Sequence, residues 1–317
     1  MKILVYNVQM ASTWYARNGQ DIRSRVIVEK IIKERAKFDC IVLCEVFQNA
    51  ALAYMVKHLQ PHFPHFTRLP KKAFTVVSGG IVFMSKKPFV SSDFMHYTNA
   101  VREERLASKG ALWIKFKSYS IVATHPQSWD REESTRIQQF QTVLNWIKDY
   151  KNPIIIVGDL NVDFFNPPET FKRMVEQLPT VTSKLQFSQS QMNAMRGNDG
   201  SASKNDCGEQ YYCNVCDSES NKDSMCKMVC AEKPVEPTFC PCCPDQLIDY
   251  GFIPKDHPKA KRLELQVLAW KADRHMVFPT WMLGQFTMPK LRTTDMSDHY
   301  PVLIHWKYYF SVTINKR

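Results

Sequence analysis

Residues 154–162 read Ile-Ile-Ile-Val-Gly-Asp-Leu-Asn-Val, an apolar run that ends on Asp159 and Asn161. A continuous run of β-forming residues without alternation is the pattern of a strand covered on both faces. Asp159 and Asn161 are two positions apart, so on an extended chain they face the same side. The apolar flanks place that side at the end of a buried strand, where a charge is costly unless it has a partner or a ligand. A single acid at a strand end is usually a turn or cap residue. The question is whether other strands end the same way.

Several do. Further β-rich runs cover residues 2–8, 40–46, 80–85, 111–117, 120–125, 247–253, 263–270 and 300–306. Asn7 lies in the first of these and Glu45 near the end of the second. His125 ends another in Ala-Thr-His-Pro-Gln, and Asp249 sits in Leu-Ile-Asp-Tyr. Asp298 and His299 sit in Ser-Asp-His-Tyr-Pro-Val, next to the last strand. Two segments have helical periodicity. In one, Asp21 is placed to cap and Ile22, Val26, Ile27 and Ile31 form an apolar stripe reaching Lys37. In the other, Asp130 and Glu133 form a capping box, with Ile137, Phe140, Leu144 and Ile147 facing one way. Strands dominate, with helices between some of them. This predicts an α+β fold, a two-layer β-sandwich flanked by helices.

Residues 1–317 are expected to form one domain, with no internal repeat. Residues 197–244 are polar, Cys-rich and poor in apolar periodicity, and read as an insertion within that domain. Eight of the ten cysteines fall between Cys207 and Cys243. Cys213 and Cys216 show a two-residue spacing, but no His lies among the eight, so disulfides are favoured over zinc or reduced thiols. Cys40 and Cys44 sit in an apolar strand and are expected to be buried, unreactive thiols. Disulfides favour an extracellular location. The alternative is cytoplasmic, because the chain passes from Met1 straight into a strand with no visible signal peptide.

The chain carries a net charge of +11 and a sequence pI near 9.1. This favours polyanionic partners, either nucleic acid or an anionic membrane surface. No run approaches the roughly 18 apolar residues of a membrane-spanning helix. Most Lys and Arg side chains are expected to be solvated.

Carboxylates, amides and two histidines together suit phosphoryl chemistry. Glu and Asp hold Mg²⁺, which prefers oxygen ligands. Asn donates to a phosphate oxygen, and one His as base and one as acid support an in-line displacement at phosphorus. The chain has neither Gly-x-Ser-x-Gly nor a phosphate-binding loop, which argues against a Ser nucleophile and a P-loop.

In order and context, the early Asn, the strand-ending Glu, Thr-His, Gly-Asp-x-Asn, Asp-Tyr and Ser-Asp-His resemble the endonuclease/exonuclease/phosphatase superfamily, from Asn7 to His299. The resemblance implies a deoxyribonuclease-like, four-layered fold. It implies Glu45 as a metal ligand, with Asn7 and Asp298 completing or supporting the metal and phosphate site. It further implies that Asp159 and Asn161 orient water and phosphate, that His299 is a general base held by Asp249, and that His125 stabilises the transition state or protonates the leaving group.

Within that superfamily the chain looks like the bacterial-type neutral sphingomyelinases. Asn7-Val-Gln-Met10, Cys44-Glu-Val-Phe47, Ser108-Lys-Gly110 and the Ser-Asp-His-Tyr-Pro-Val ending carry the likeness. Pro126 departs from it, since that family usually has Leu after the His. The likeness implies Mg²⁺ as cofactor, with Mn²⁺ or Co²⁺ able to substitute, and Lys109 as a phosphate-binding residue. It also implies an aromatic hairpin that enters bilayers, placed here at Trp281, Met282 and Phe286 around Gly284. The expected activity is hydrolysis of sphingomyelin to ceramide and phosphocholine by a monomer at a membrane surface, with no nucleic-acid partner. The alternatives are a nuclease or other phosphodiesterase of the same superfamily, or a secreted binding protein or toxin acting through the Cys-rich insertion.

Overall fold

The computed structural model describes residues 1–68, 71, 73, 75–128, 132–162, 248–253, 260–268, 270–282, 290–297, 299 and 301–308. The Cys-rich insertion, Asp130, Phe286 and Asp298 lie outside the described residues.

Alternation along the first strand sets the layers. In β1 (Lys2–Met10), Ile3 and Val5 join one hydrophobic core while Leu4, Tyr6, Val8 and Met10 join another. The neighbouring β3 (Cys40–Val46) repeats this, with Cys40, Val42 and Cys44 in the first core and Ile41 and Leu43 in the second. A period of two on a doubly covered sheet gives this division. The sheet has six strands. From one edge they are β11 (Ala260–Val267), β14 (Val302–Tyr308), β1, β3, β5 (Val82–Ser85) and β4 (His65–Arg68). β1 and β3 are parallel, and β1 and β14 are antiparallel.

The second core lies under two helices, α1 (Gln20–Glu34) and α2 (Asn49–Leu59), whose apolar faces contribute Ile27, Val28 and Ile31, and Leu52, Met55 and Leu59. The first core lies between the six-stranded sheet and a five-stranded one. That sheet runs β10 (Asp249–Phe252), β9 (Ile154–Asp159), β8 (Ser120–Thr124), β7 (Gly110–Lys115) and β6 (Ser91–His96). α3 (Glu133–Ile147) lays Phe140, Val143 and Ile147 on it, with Trp146 edge-on to Trp113. The result is the expected four layers of helix, sheet, sheet and helix. A three-stranded ribbon of β13 (Lys290–Asp295), β12 (Lys271–Met282) and β2 (Ala16–Asn18) stands beside them.

The structure corrects the local reading in several places. Gly19, with φ 74°, rather than Asp21, occupies the N-cap of α1. Asp21 is exposed in the first turn, where its charge complements the helix dipole. Ile22, Val26, Ile137 and Leu144 are only half-buried. Ile27, Ile31, Phe140 and Ile147 are buried as expected, but the buried positions also include Arg23 on α1, and Arg136 and Gln139 on α3. Polar side chains at those core positions blur an apolar stripe read from sequence. α2 was not anticipated, nor were β6 and β12. Cys40 and Cys44 are buried free thiols, as expected, and burial pushes both well above the ordinary thiol range.

Candidate active site

The candidate side chains meet where strands of both sheets end. Asn7 follows Ile3 and Val5 in the alternation of β1, so it points between the sheets, and it is fully buried. β1 then bulges. Its register against β3 jumps from Asn7↔Cys44 to Met10↔Val46, and Gln9 takes a φ of 46°. The Gln9 N–H donates to Asn7 Oδ1 at 3.0 Å.

Alternation in β3 would send Glu45 towards the helices with Ile41 and Leu43. A φ of 59° at Glu45 interrupts the strand geometry, and the carboxylate comes to His125 on the opposite sheet. Positive φ also occurs at Asn161, 53°. Left-handed backbone at non-glycine residues costs on the order of 1–3 kcal/mol and gathers at functional sites.

β9 delivers Asp159. Just before it, Gly158 has φ 152°, and a Cβ there would lie 1.8 Å from the Thr124 carbonyl oxygen. Glycine is required for β9 to approach β8 so closely. The strand ends at Asp159, so strand alternation does not relate Asp159 to Asn161. A turn does. The Asn161 N–H donates to Asp159 Oδ1 at 3.0 Å, and its side-chain amide reaches the Pro126 carbonyl at 3.2 Å. β10 sets Asp249 directly opposite Asp159 in the antiparallel register.

The predicted residues converge. Asn7 Nδ2 donates to Asp159 Oδ2 at 2.8 Å and lies 3.2 Å from His299 Nε2. His299 Nδ1 is 2.5 Å from Asp249 Oδ2. The tautomer that satisfies both contacts carries its proton on Nδ1, donated to Asp249, and leaves Nε2 as the acceptor. His299 Nε2 is 3.9 Å from Asp159 Oδ2. His125 Nε2 lies 3.4 Å from Asp159 Oδ2 and 3.7 Å from Glu45 Oε1. Ser297 Oγ donates to the Asn7 carbonyl at 2.7 Å.

Charge in this pocket is unbalanced. Burial pushes Asp159 up to about 6, reinforced by Asp249 opposite. Burial likewise raises Asp249 and Glu45, against the favourable charges of His299 and Lys109 respectively. Burial, then the charges of Lys109 and His299, hold His125 well below the usual imidazole range, so it is neutral. Neither ring nitrogen of His125 has a hydrogen-bond partner among the described residues, though both are buried.

Desolvated carboxylates beside an unsatisfied imidazole call for a ligand. Hard oxygens of Glu45 and Asp159, with ligand atoms of these two and His125 all within 4.8 Å of one another, fit an oxygen-preferring divalent cation.

Lys109 lies 3% exposed beneath this pocket, with Nζ 2.7 Å from Glu104 Oε1 and 3.2 Å from the Pro126 carbonyl. Its ammonium is thus tied to the loop that follows His125, and Glu104 also accepts from the Ser128 N–H at 3.3 Å. Glu104 was missed because it stands in the charged run Arg102-Glu-Glu-Arg105, which reads as a solvated turn. Arg23 was missed too, since most basic residues were expected to be solvated. Trp281 and Met282 fall in β12, opposite Arg17 and Ala16 of β2, and Trp281 is half-buried.

A four-layered fold whose strand ends gather Asn, Glu, His, Asp and a His–Asp pair defines a known class. The chain belongs to the endonuclease/exonuclease/phosphatase family, which it matches over residues 4–180. Among curated relatives it is 23% identical over 340 residues to a sphingomyelinase C of Bacillus cereus, covering 95% of this chain and 87% of that one. Among solved structures it is similar to sphingomyelinase C from Streptomyces griseocarneus, with TM-score 0.65, 19% identity, and coverage of 96% and 98% of the two chains. It is also similar to a beta toxin variant from Staphylococcus aureus with bound magnesium ions, with TM-score 0.66, 18% identity, and coverage of 96% and 99%. At these identities the likeness to solved structures establishes the fold.

Proposed function

We propose that this protein is a magnesium-dependent phosphodiesterase that hydrolyses sphingomyelin to ceramide and phosphocholine at a membrane surface. The observation that carries the reading is the convergence of Asn7, Glu45, His125, Asp159, Asp249 and His299 on one desolvated pocket. The likeness to a sphingomyelinase C along almost the whole chain supports the choice of substrate.

In this reading His299 is the general base. Asp249 holds its Nδ1–H, so Nε2 accepts a proton from water as the water oxygen bonds to phosphorus and the phosphorus–oxygen bond to ceramide breaks. The ceramide oxygen departs and takes up a proton from water. Asn7 and Asp159 orient the water and the phosphate, with Asn161 bracing Asp159. Neutral His125 donates a hydrogen bond to the charge that develops on oxygen. Glu45 and Asp159, with Asn7 and Asp298 completing or supporting the site, would hold the magnesium ion, which supplies Lewis-acid polarisation of the phosphoryl group when bound. Mn²⁺ or Co²⁺ would substitute. Lys109 adds a fixed positive charge near the phosphate.

Trp281, Met282 and Phe286 would make the membrane contact from the ribbon. The protein would act as an extracellular monomer whose Cys-rich insertion is disulfide-bonded, all within one domain.

The test is incubation of purified protein with sphingomyelin vesicles and magnesium, measuring phosphocholine. Release that chelator abolishes and magnesium restores is the expected result. No release from sphingomyelin, with cleavage of DNA instead, would refute it and select the nuclease reading that the basic charge also allows. A biological effect that survives Glu45→Ala and His299→Ala would place the activity in the Cys-rich insertion.

A further inference from the structure

Arg23 is 2% exposed on the inner face of α1, an uncommon place for a guanidinium. Its hydrogen bonds run to backbone carbonyls on separate segments. Nη2 donates to Val8 O at 2.8 Å, and Nη1 to Gln9 O at 3.0 Å and Asn18 O at 3.3 Å. Nε donates to Met296 O at 2.8 Å. A planar fork of five N–H donors can serve acceptors in several fixed directions at once, which a lysine ammonium on one flexible stem cannot reproduce.

Two of these segments carry the candidate catalytic groups. Val8 and Gln9 form the β1 bulge directly after Asn7, the two residues that the β1–β3 register skips. Met296 precedes Ser297, which bonds the Asn7 carbonyl, and lies three residues before His299. Asn18 strengthens the same knot, because its Nδ2 donates to the Gln9 carbonyl at 2.9 Å and its N–H to Gln20 Oε1 at 3.1 Å. Next to this knot, Asn7 Nδ2 sits 3.2 Å from His299 Nε2.

We infer that Arg23 is a positioning residue. By gripping the β1 bulge and the segment before His299 with one guanidinium, it sets the separation between the Asn7 amide and the His299 imidazole. Without it the bulge, which depends on a left-handed Gln9, loses the donors that hold it against Met296. Among the described residues Arg23 acts on the candidate catalytic groups through the backbone carbonyls of Val8, Gln9 and Met296. The inference rests on the reading of His299 as the base.

Arg23→Lys is the informative variant, since it keeps charge and bulk but not the fork. It is expected to lower kcat on sphingomyelin about 100-fold with KM within about twofold of the wild type, because a misplacement near 1 Å costs about that factor. In Arg23→Ala, added guanidinium should restore activity several-fold, whereas ammonium should not. A third readout needs no turnover. The downfield Nδ1 proton of His299, bonded to Asp249, should be sharp in the wild type and broadened or shifted in folded Arg23→Lys. Where Arg23→Ala does not fold, Arg23→Lys combined with Ser297→Ala gives the second test. The two substitutions should be non-additive in kcat, because both loosen the same segment from β1. The inference is overturned if folded Arg23→Lys keeps the wild-type kcat and His299 resonance, or if its activity falls only in proportion to unfolded protein. A wild type that releases no phosphocholine would sink the proposed activity instead, with the resonance still testing Arg23.

Discussion

Asp159→Asn is expected to make the metal-free protein more stable while abolishing its activity. Asp159 is 1% exposed, faces Asp249 across the β9–β10 pair, and is pushed from 3.8 up to about 6. At about 1.4 kcal/mol per pKa unit, keeping this carboxylate ionised at pH 8 costs the folded protein about 3 kcal/mol. The substitution removes that cost. It also turns an amide towards one of two donors, Asn7 Nδ2 or the Asn161 N–H, and so loses one hydrogen bond worth about 1 kcal/mol. The net gain is about 2 kcal/mol at pH 8.

The sign follows from linkage. A raised folded-state pKa means that the folded protein binds the proton more tightly, so wild-type stability falls as pH rises from about 4 to about 6. Below pH 4 the carboxyl is protonated in both states, and the substitution retains only its hydrogen-bond loss. Urea unfolding of chelator-treated wild type and variant at pH 8 and pH 4 checks this. The variant should win at pH 8 and lose slightly at pH 4. A variant less stable than wild type at pH 8 without metal would refute the view that uncompensated carboxylate charge is stored at this site.

The same titration should appear in metal binding, with magnesium affinity of the metal-free protein weakening as pH drops through about 6, because a proton on Asp159 competes with the cation; an affinity that is flat from pH 5 to 8 would contradict this. Glu104→Gln should cost about 3 kcal/mol in denaturant unfolding by leaving buried Lys109 without its carboxylate, and pairing it with Lys109→Met should recover part of that loss. Gly158→Ala should destabilise by about 2 kcal/mol or more and lower kcat, since its methyl meets the Thr124 carbonyl and the adjacent Asp159 must move. His299→Ala should lower kcat by about 10²–10⁴-fold with little change in thermal midpoint, measured by phosphocholine release and calorimetry.

Much of the site was legible because its chemistry is carried by residue types out of keeping with their surroundings. A carboxylate ending an apolar strand, as at Glu45 and Asp159, marks a buried charge that needs a reason, and several such strands needed the same one. Lys109 and Glu104 show the opposite case. Lys109 was singled out by its motif with phosphate binding as the expected role, but its tie to Glu104 and Pro126 depends on a loop whose composition resembles any solvated turn. Arg23 was illegible for a related reason. The partners that tie it to the site are backbone carbonyls of Val8, Gln9 and Met296, which every residue possesses, so no side-chain pattern announces them.

The amino-acid order by itself determined the main strands, their burial on both faces, the sandwich with helices outside, and which side chains are candidates to carry the chemistry. These follow from local periodicity and from the cost of placing a charge in an apolar run. Only the tertiary structure decided that Glu45 turns back to meet His125, that Asp249 stands across from Asp159, and that Asn7 comes within reach of His299. Those relations join residues up to 292 positions apart through a bulge, left-handed backbone turns and strand register. Such features arise from how whole sheets pack, and no short window of sequence encodes them.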